Sequence, residues 1–227
     1  MIGERAKLGQ DSKPFGRDDF DRGERKLLRD GHAANAQVYL FEDRNGGLWT
    51  VKDFSKRSFA VRFFLAPLLF WREMKIVNSL KGVDGVPNAA FRVDRNAVAV
   101  SFIPGEPLPR FIDATGGISV DLLQKMEDLM RRVHRAGVVH LDARGTGNWV
   151  VRTDGTPALI DFQAALRTDV MPRRLRVALE DLDMSGVLKK WRDFQPEAMG
   201  EARKEQLARG ESLRRKWRIR GYLGLRK

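Results

Sequence analysis

The fold of this chain turns on the stretch VVHLDARGTGNWVV, residues 138–151. His140, Asp142, Arg144 and Asn148 crowd into a short segment with two glycines, and apolar residues press in from both sides. Chains rarely put so many polar groups between two segments that both want burial unless those groups are put to use. Upstream, SVDLLQKMEDLMRRVHRAG (119–137) places Leu122, Leu123, Met126, Leu129, Met130 and Val133 on one helical face, stopped by Gly137. Downstream, NWVV (148–151) and PALIDF (157–162) predict a hairpin about RTDGT.

Toward the N-terminus the pattern changes to strands. QVYLF (37–41) and LWTVKDF (48–54) flank DRNGG, an Asn-Gly hairpin signal. Pro67 would break a continuous helix but suits a first turn, so a helix is expected from about 67 to 81, ended by Gly82. Strand-like runs follow at 89–94 and 97–103, and PGEPLP (104–109) reads as a connector. Residues 172–192 and 197–218 read as helices, whereas residues 1–30 are polar, weakly periodic and expected to be a loosely docked extension. The outline is α+β: a strand-rich lobe with one helix over 31–103, then a compact, mostly helical lobe over 104–227.

Composition excludes several chemistries. With no cysteine among 227 residues, disulfides, thiolate metal sites and cysteine nucleophiles are out, and a reducing compartment such as the cytoplasm is expected. The first twenty residues lack the apolar core of a signal peptide. The longest apolar run, FFLAPLLFW (63–71), is too short for a bilayer. Three histidines argue against a histidine-rich metal site. Net charge is +12, and residues 201–227 alone carry +7, which favours anionic partners. Within that segment SLRRKWRIRGYLGLRK (212–227) mixes cations with Leu213, Trp217, Ile219, Tyr222 and Leu223. Such a segment suits a membrane surface, an RNA, or a last helix with a solvated face.

Other polar positions stand out singly. Glu73 falls on the apolar face of the expected 67–81 helix; the plain explanation is a half-exposed glutamate at the edge of the stripe. Lys52 lies in a strand whose facing is unclear from alternation. If inward, it is a natural partner for Glu73 and a grip for phosphate oxygens. Asp161 ends the apolar strand ALIDF, where carboxylates hold metals or cap turns. His134 and His140 read as structural. In RRLRVALEDLDMSGVLKKW (173–191), Asp181 and Asp183 sit among apolar residues with surface charge the default for both.

The order is a strand lysine, a helix glutamate, an H-x-D loop with a downstream asparagine, then Asp-Phe after a strand. That is the order of parts in the protein-kinase signature. From VYLFEDRNGGLWTVKDF to LIDFQAAL, about 130 residues by the numbering, the chain resembles the protein-kinase-like superfamily. Its small size, REMKIVNSLKGVDGVP and VVHLDARGTGN are most similar to bacterial lipopolysaccharide-core (Kdo and heptose) kinases and RIO-type kinases. The resemblance implies a two-lobed protein-kinase-like fold. It implies a magnesium- and ATP-dependent kinase that transfers the γ-phosphoryl group to a hydroxyl, with a lipopolysaccharide-core sugar as the favoured acceptor. The alternatives are a RIO-like serine/threonine protein kinase and a pseudokinase that binds nucleotide as a scaffold.

Carried across by residue, the resemblance gives Lys52 the α/β-phosphates of ATP and Glu73 the orienting of Lys52. Asp142 would take the proton of the attacking hydroxyl. Arg144 stands where many kinases carry a lysine near the γ-phosphate. Asn148 and Asp161 would bind magnesium, and His140 would prop the loop. Adenine would bond the segment from Ser101 through Ile103 to Pro104. Either Asp181 or Asp183 would brace the loop. A glycolipid or protein acceptor and a peripheral contact with an anionic inner-membrane surface are the expected partners, and no stable nucleic-acid complex is expected.

There are three departures. RDGHAANAQVYL has a single glycine, Gly31, where the phosphate-covering loop should have several. Asp142 and Asn148 stand one residue further apart than usual, a difference that Gly145 and Gly147 can absorb; without that, Asn148 is not the metal ligand. Gln163 replaces the glycine of Asp-Phe-Gly, so no activation flip is expected there. Beyond these, no element like Ala-Pro-Glu follows Asp161, so the activation and peptide-docking regions of eukaryotic protein kinases are expected to be absent.

Overall fold

Alternating apolar residues in QVYLF and LWTVK build the hairpin of the first unit. The computed structural model describes residues 13–31 and 35–219. Strand β2 (Gln37–Glu42) pairs antiparallel with β3 (Leu48–Asp53), from Gln37 opposite Asp53 to Glu42 opposite Leu48. The turn between them is closed by Asp43, whose carboxylate accepts the amides of Asn45 and Gly47 and the indole N–H of Trp49 at 2.8–2.9 Å. With β1 (Arg25–Arg29), β4 (Ala90–Arg92) and β5 (Ala97–Ser101), the sheet order is β1-β2-β3-β5-β4.

One face of this sheet carries an aromatic core. Phe15, Phe20, Phe41 and Val51 are buried there, with Tyr39, Trp49 and Phe91 packed against them. Phe20 comes from a short helix, α1 (Arg17–Arg22), and the Arg17 guanidinium forks onto Asp53 and Asp94. The expectation of a loosely docked extension over 1–30 is therefore corrected for the described part. Burying Phe15 and Phe20 contributes about 1.5–3 kcal/mol each, ample to hold a charged stretch down. Two phenylalanines five residues apart were too sparse to show as periodicity. Residues 1–12 lie outside the described residues.

Helix α2 (Ala66–Ser79) follows a π-helical turn over Val61–Leu65. The helical run thus begins before Pro67 instead of at it. A proline ring clashes with the carbonyl four residues back, and the wider π turn is one way a helix makes room for it.

Backbone contacts divide the chain into two units. The first takes the described residues up to Phe70 and Phe91–Phe102, and the second takes Trp71–Ala90 and the described residues from Ile103 onward. The segment 71–90, expected with the strand-rich lobe, joins the second unit through specific bonds. Arg72 donates to the carbonyls of Ala164 and Ala165. Asp84 forks with Arg152, and the Leu159 amide donates to Gly85.

In the second unit α4 (Val120–Arg135) starts at Ser119, whose hydroxyl accepts the Leu122 amide, and its six predicted core residues are all buried. It packs on α5 (Arg173–Phe194), which packs on α6 (Glu201–Ile219). The expected hairpin is present as β8 (Trp149–Val151) and β9 (Pro157–Leu159), with β6 (Glu106–Pro107) added on the β8 side. A second small pair joins β7 (Val138–Val139) to β10 (Leu166–Arg167). The reading of 104–109 as a plain connector is corrected by α3 (Leu108–Thr115), which has Pro109 in its first turn. The whole is α+β, and among the described residues no helix is long and apolar enough to cross a membrane.

Candidate functional site

The 138–151 loop leaves β7 with two successive amides, His140 and Leu141, that have no strand partner. Asp183 on α5 accepts both, at 2.7 and 2.9 Å, and its Oδ2 also meets the His134 ring at 3.0 Å. This decides between the two candidates left open by the sequence. Asp183 is buried and braces the loop, whereas Asp181 pairs with Gln206 and Arg209 near the surface. Burial pushes the Asp183 carboxyl up, but the His134 bond, the nearby imidazoles and the His140 amide outweigh it and hold it below the ordinary carboxylate range.

A turn further along α5 the backbone passes under the loop. A Cβ on Gly186 would stand 2.8 Å from the Arg144 nitrogen and Cα, so only glycine permits this approach. One more turn on, the buried Lys190 ammonium donates to the carbonyls of Ala143, Arg144 and Gly186 at 3.0, 3.0 and 3.1 Å. Three donors meet three acceptors. Burial pushes this lysine down to about 7, with Lys189 and Arg144 adding to the effect and Asp193 opposing it. Asp183, Gly186 and Lys190 form one face of α5. It holds the loop's amides with a carboxylate and its carbonyls with an ammonium. Sequence reasoning missed Lys190, although its place seven residues after Asp183 puts both on one helical face.

Inside the loop, the Asn148 amide nitrogen donates to both the carbonyl and Oδ2 of Asp142 at 2.9 Å. The longer Asp142–Asn148 spacing thus still brings the pair together. Neither Gly145 nor Gly147 takes a left-handed φ; the left-handed residue is Leu141, at φ 64°. Leu141 precedes Asp142, so the backbone runs from Asp142 to Asn148 with no residue of positive φ. Asn148 turns its nitrogen to Asp142, which leaves Oδ1 as the atom that could meet a hard cation. Trp149 donates its indole N–H to Ala143, adding a second bond to a carbonyl that Lys190 already holds.

His140 ties this loop to Asp161. Its Nε2 meets the Ile160 carbonyl at 3.0 Å and its Nδ1 accepts the Asp142 amide at 3.2 Å, a pattern that fits the proton on Nε2. The Ile160 amide donates to the Asn148 carbonyl, and the Phe162 ring meets the His140 ring edge-on at 4.7 Å. Asp161 sits at φ 66° ahead of a short 3-10 turn over Phe162–Ala164. Arg72 fixes the far end of that turn. Leu141 and Asp161 are the two non-glycine residues with positive φ among the described residues. Such backbone costs about 1–3 kcal/mol each and gathers at functional positions.

Arg144 stands 3.5 Å from Glu211, which also meets Arg192. Its Nη1 is shielded from solvent and has no hydrogen-bond partner among the described residues, a donor suited to an anion.

The other expected residues fall as follows. Glu73 is buried on α2, which excludes the half-exposed explanation. Lys52 lies on β3 between Val38 and Val98, on the sheet face away from the aromatic core, and is buried. Its unclear facing is thereby resolved as inward. Ser101 ends β5 in the first unit, and Ile103 begins the second; both are half-buried. The glycine-poor loop between β1 and β2 is described only in part, residues 32–34 lying outside the described residues. The same holds for 220–227 of the basic tail.

Among the described residues no three His, Asp or Glu side chains cluster as a metal site. The pair Asn148 and Asp161 supplies hard oxygen donors of the kind magnesium takes one or two at a time, with substrate phosphates and water completing its shell. No protein-family model matches the chain, and no curated protein matches it.

Proposed function

We propose that this protein is a magnesium- and ATP-dependent phosphotransferase of protein-kinase-like type that acts on a hydroxyl, with a lipopolysaccharide-core sugar as acceptor. The observation that carries this reading is the held loop. Asp142 and Asn148 are bonded to each other in a backbone whose amides and carbonyls are gripped by buried Asp183 and Lys190. Phosphoryl transfer depends almost wholly on positioning and charge stabilisation, so a carboxylate in so fixed a backbone suits it. Further support comes from the elements: the candidate lysine lies on the third strand and the candidate glutamate on the helix after it, the context that the motif demands.

In this mechanism Lys52 grips phosphate oxygens of ATP and Glu73 orients it. Asp142 accepts the proton of the acceptor hydroxyl as that oxygen bonds to the γ-phosphorus and the bond to the β-phosphate oxygen breaks, leaving ADP. Arg144 offers a guanidinium to the transferring phosphoryl group. Asn148 and Asp161 would hold magnesium, which neutralises phosphate charge. The reaction belongs at the cytoplasmic face of the inner membrane, where both ATP and a nascent glycolipid are available.

The test is incubation with γ-labelled ATP and magnesium, in parallel with core glycolipid and with protein extract. Label in the glycolipid that disappears with Asp142→Ala supports the proposal. Label in protein alone moves the reading to a RIO-like protein kinase. Tight magnesium-independent ATP binding with no transfer leaves a nucleotide-binding scaffold.

A further inference from the structure

The helical run through the π turn and α2 is apolar on both faces. Its inner face folds the protein: Ala66 and Phe70 are almost fully buried. Its outer face is also aromatic. Phe59 and Phe64 are 66% and 74% exposed, and Phe63 and Leu68 stand out beside them. The Phe59 and Phe63 rings are already stacked on each other, centroids 4.1 Å apart. Further along the helix Trp71 is exposed, with the Lys75 ammonium 4.9 Å over its ring. Single exposed apolar residues need no explanation, but five large ones following one helical run do.

The charge around them selects the partner. From Ser55 to Phe70 the sequence has three cations, Lys56, Arg57 and Arg62, and no Asp or Glu. Arg95, from the β4–β5 turn, lies 5.7 Å from the Phe63 ring centre. Aromatic rings that project outward, edged by cations whose long stems reach past them, suit the boundary of an anionic bilayer: the rings enter the acyl region and the cations stay among headgroup phosphates.

We propose that this face, centred on Phe59, Phe63, Phe64 and Leu68, seats the protein on an anionic lipid bilayer. The proposal is independent of the phosphotransfer reading and of the basic tail. Such a seat contributes one anchor; the cations supply the second that stable attachment takes.

Sedimentation of the full chain with vesicles tests it, using phosphatidylcholine alone against phosphatidylcholine with about a third phosphatidylglycerol, a content that sets up the surface potential. The expected result is binding to the anionic vesicles only, weakened by salt. Replacing Phe59→Ser and Phe64→Ser together should cut partitioning about ten-fold or more, with unchanged circular dichroism. Should that variant misfold, quenching of tryptophan fluorescence by brominated lipid chains serves instead: the quenching should drop in Trp71→Phe. The proposal is overturned if the folded double variant binds like the wild type, which would assign binding to the tail. It is equally overturned if Trp71→Phe leaves quenching unchanged. A third contrary result is a wild type that ignores vesicles and self-associates through these residues in ultracentrifugation, which would make the face a contact between copies.

Discussion

Asp183 carries three bonds on one carboxylate in the interior of the second unit. Asp183→Ala would leave the buried His140 amide and the part-buried Leu141 amide without an acceptor, and a loss of about 3–5 kcal/mol in urea unfolding is expected, the range for breaking a buried charged network. Lys190 sets up a different signature. In the unfolded chain it keeps its proton up to about pH 10.5, while in the fold burial lowers that to about 7. Between those values the unfolded state binds more protons. Stability should therefore rise with pH across this window, by at most about 1.4 kcal/mol per pH unit, and Lys190→Met should remove that rise. Comparing urea midpoints of the two proteins at pH 7 and 9 reads this directly. Asp142, Arg144, Asn148 and Asp161 were singled out in the sequence because their types stand in a recognisable order, and the structure brings Asp142 and Asn148 together. Lys190 was not, because a lysine near a helix end is solvated by default and nothing local says that a loop more than forty residues away will cover it.

At the scale of elements, α5 and the loop fit so closely that one methyl group should be felt. Gly186→Ala would place a Cβ against the Arg144 backbone, and neither the helix nor a loop fixed at Asp183 and Lys190 can yield cheaply. The expected cost is about 1–3 kcal/mol, with a larger fractional loss of phosphotransfer than of stability-matched surface variants. A thermal melt together with the transfer assay checks both. Helix α4 and the hairpins β2–β3 and β8–β9 were legible because their apolar residues repeat or run together as one element and Ser119, Gly137, Asn45-Gly46 and Asp154-Gly155 mark their ends. Other elements escaped. The N-terminal helix and β1 are too short and too charged to show a period. Helix α3 hides behind a proline-rich entry. The π turn is a local answer to Pro67 that no periodicity encodes.

At the scale of the molecule, the sequence reading gave the α+β class but drew the boundary at 103/104. The contacts place a boundary one residue earlier, at 102/103, and also move 71–90 into the second unit, because Arg72, Asp84 and Gly85 bond within it. Charge composition pointed toward anionic partners without saying where they bind; exposure supplies the candidate face. If the protein takes up ATP with magnesium, saturating nucleotide should raise its melting temperature, by an amount equivalent to about 2.7 kcal/mol at a hundred-fold excess over the dissociation constant. Asp161→Ala should blunt the magnesium-dependent part of that shift. The most direct test of the central claim is the mass of core glycolipid from cells that carry the wild-type chain or Asp142→Ala. The account predicts that the variant's glycolipid is lighter by one phosphate; glycolipid of identical mass, from cells in which both proteins are folded and present, would contradict it.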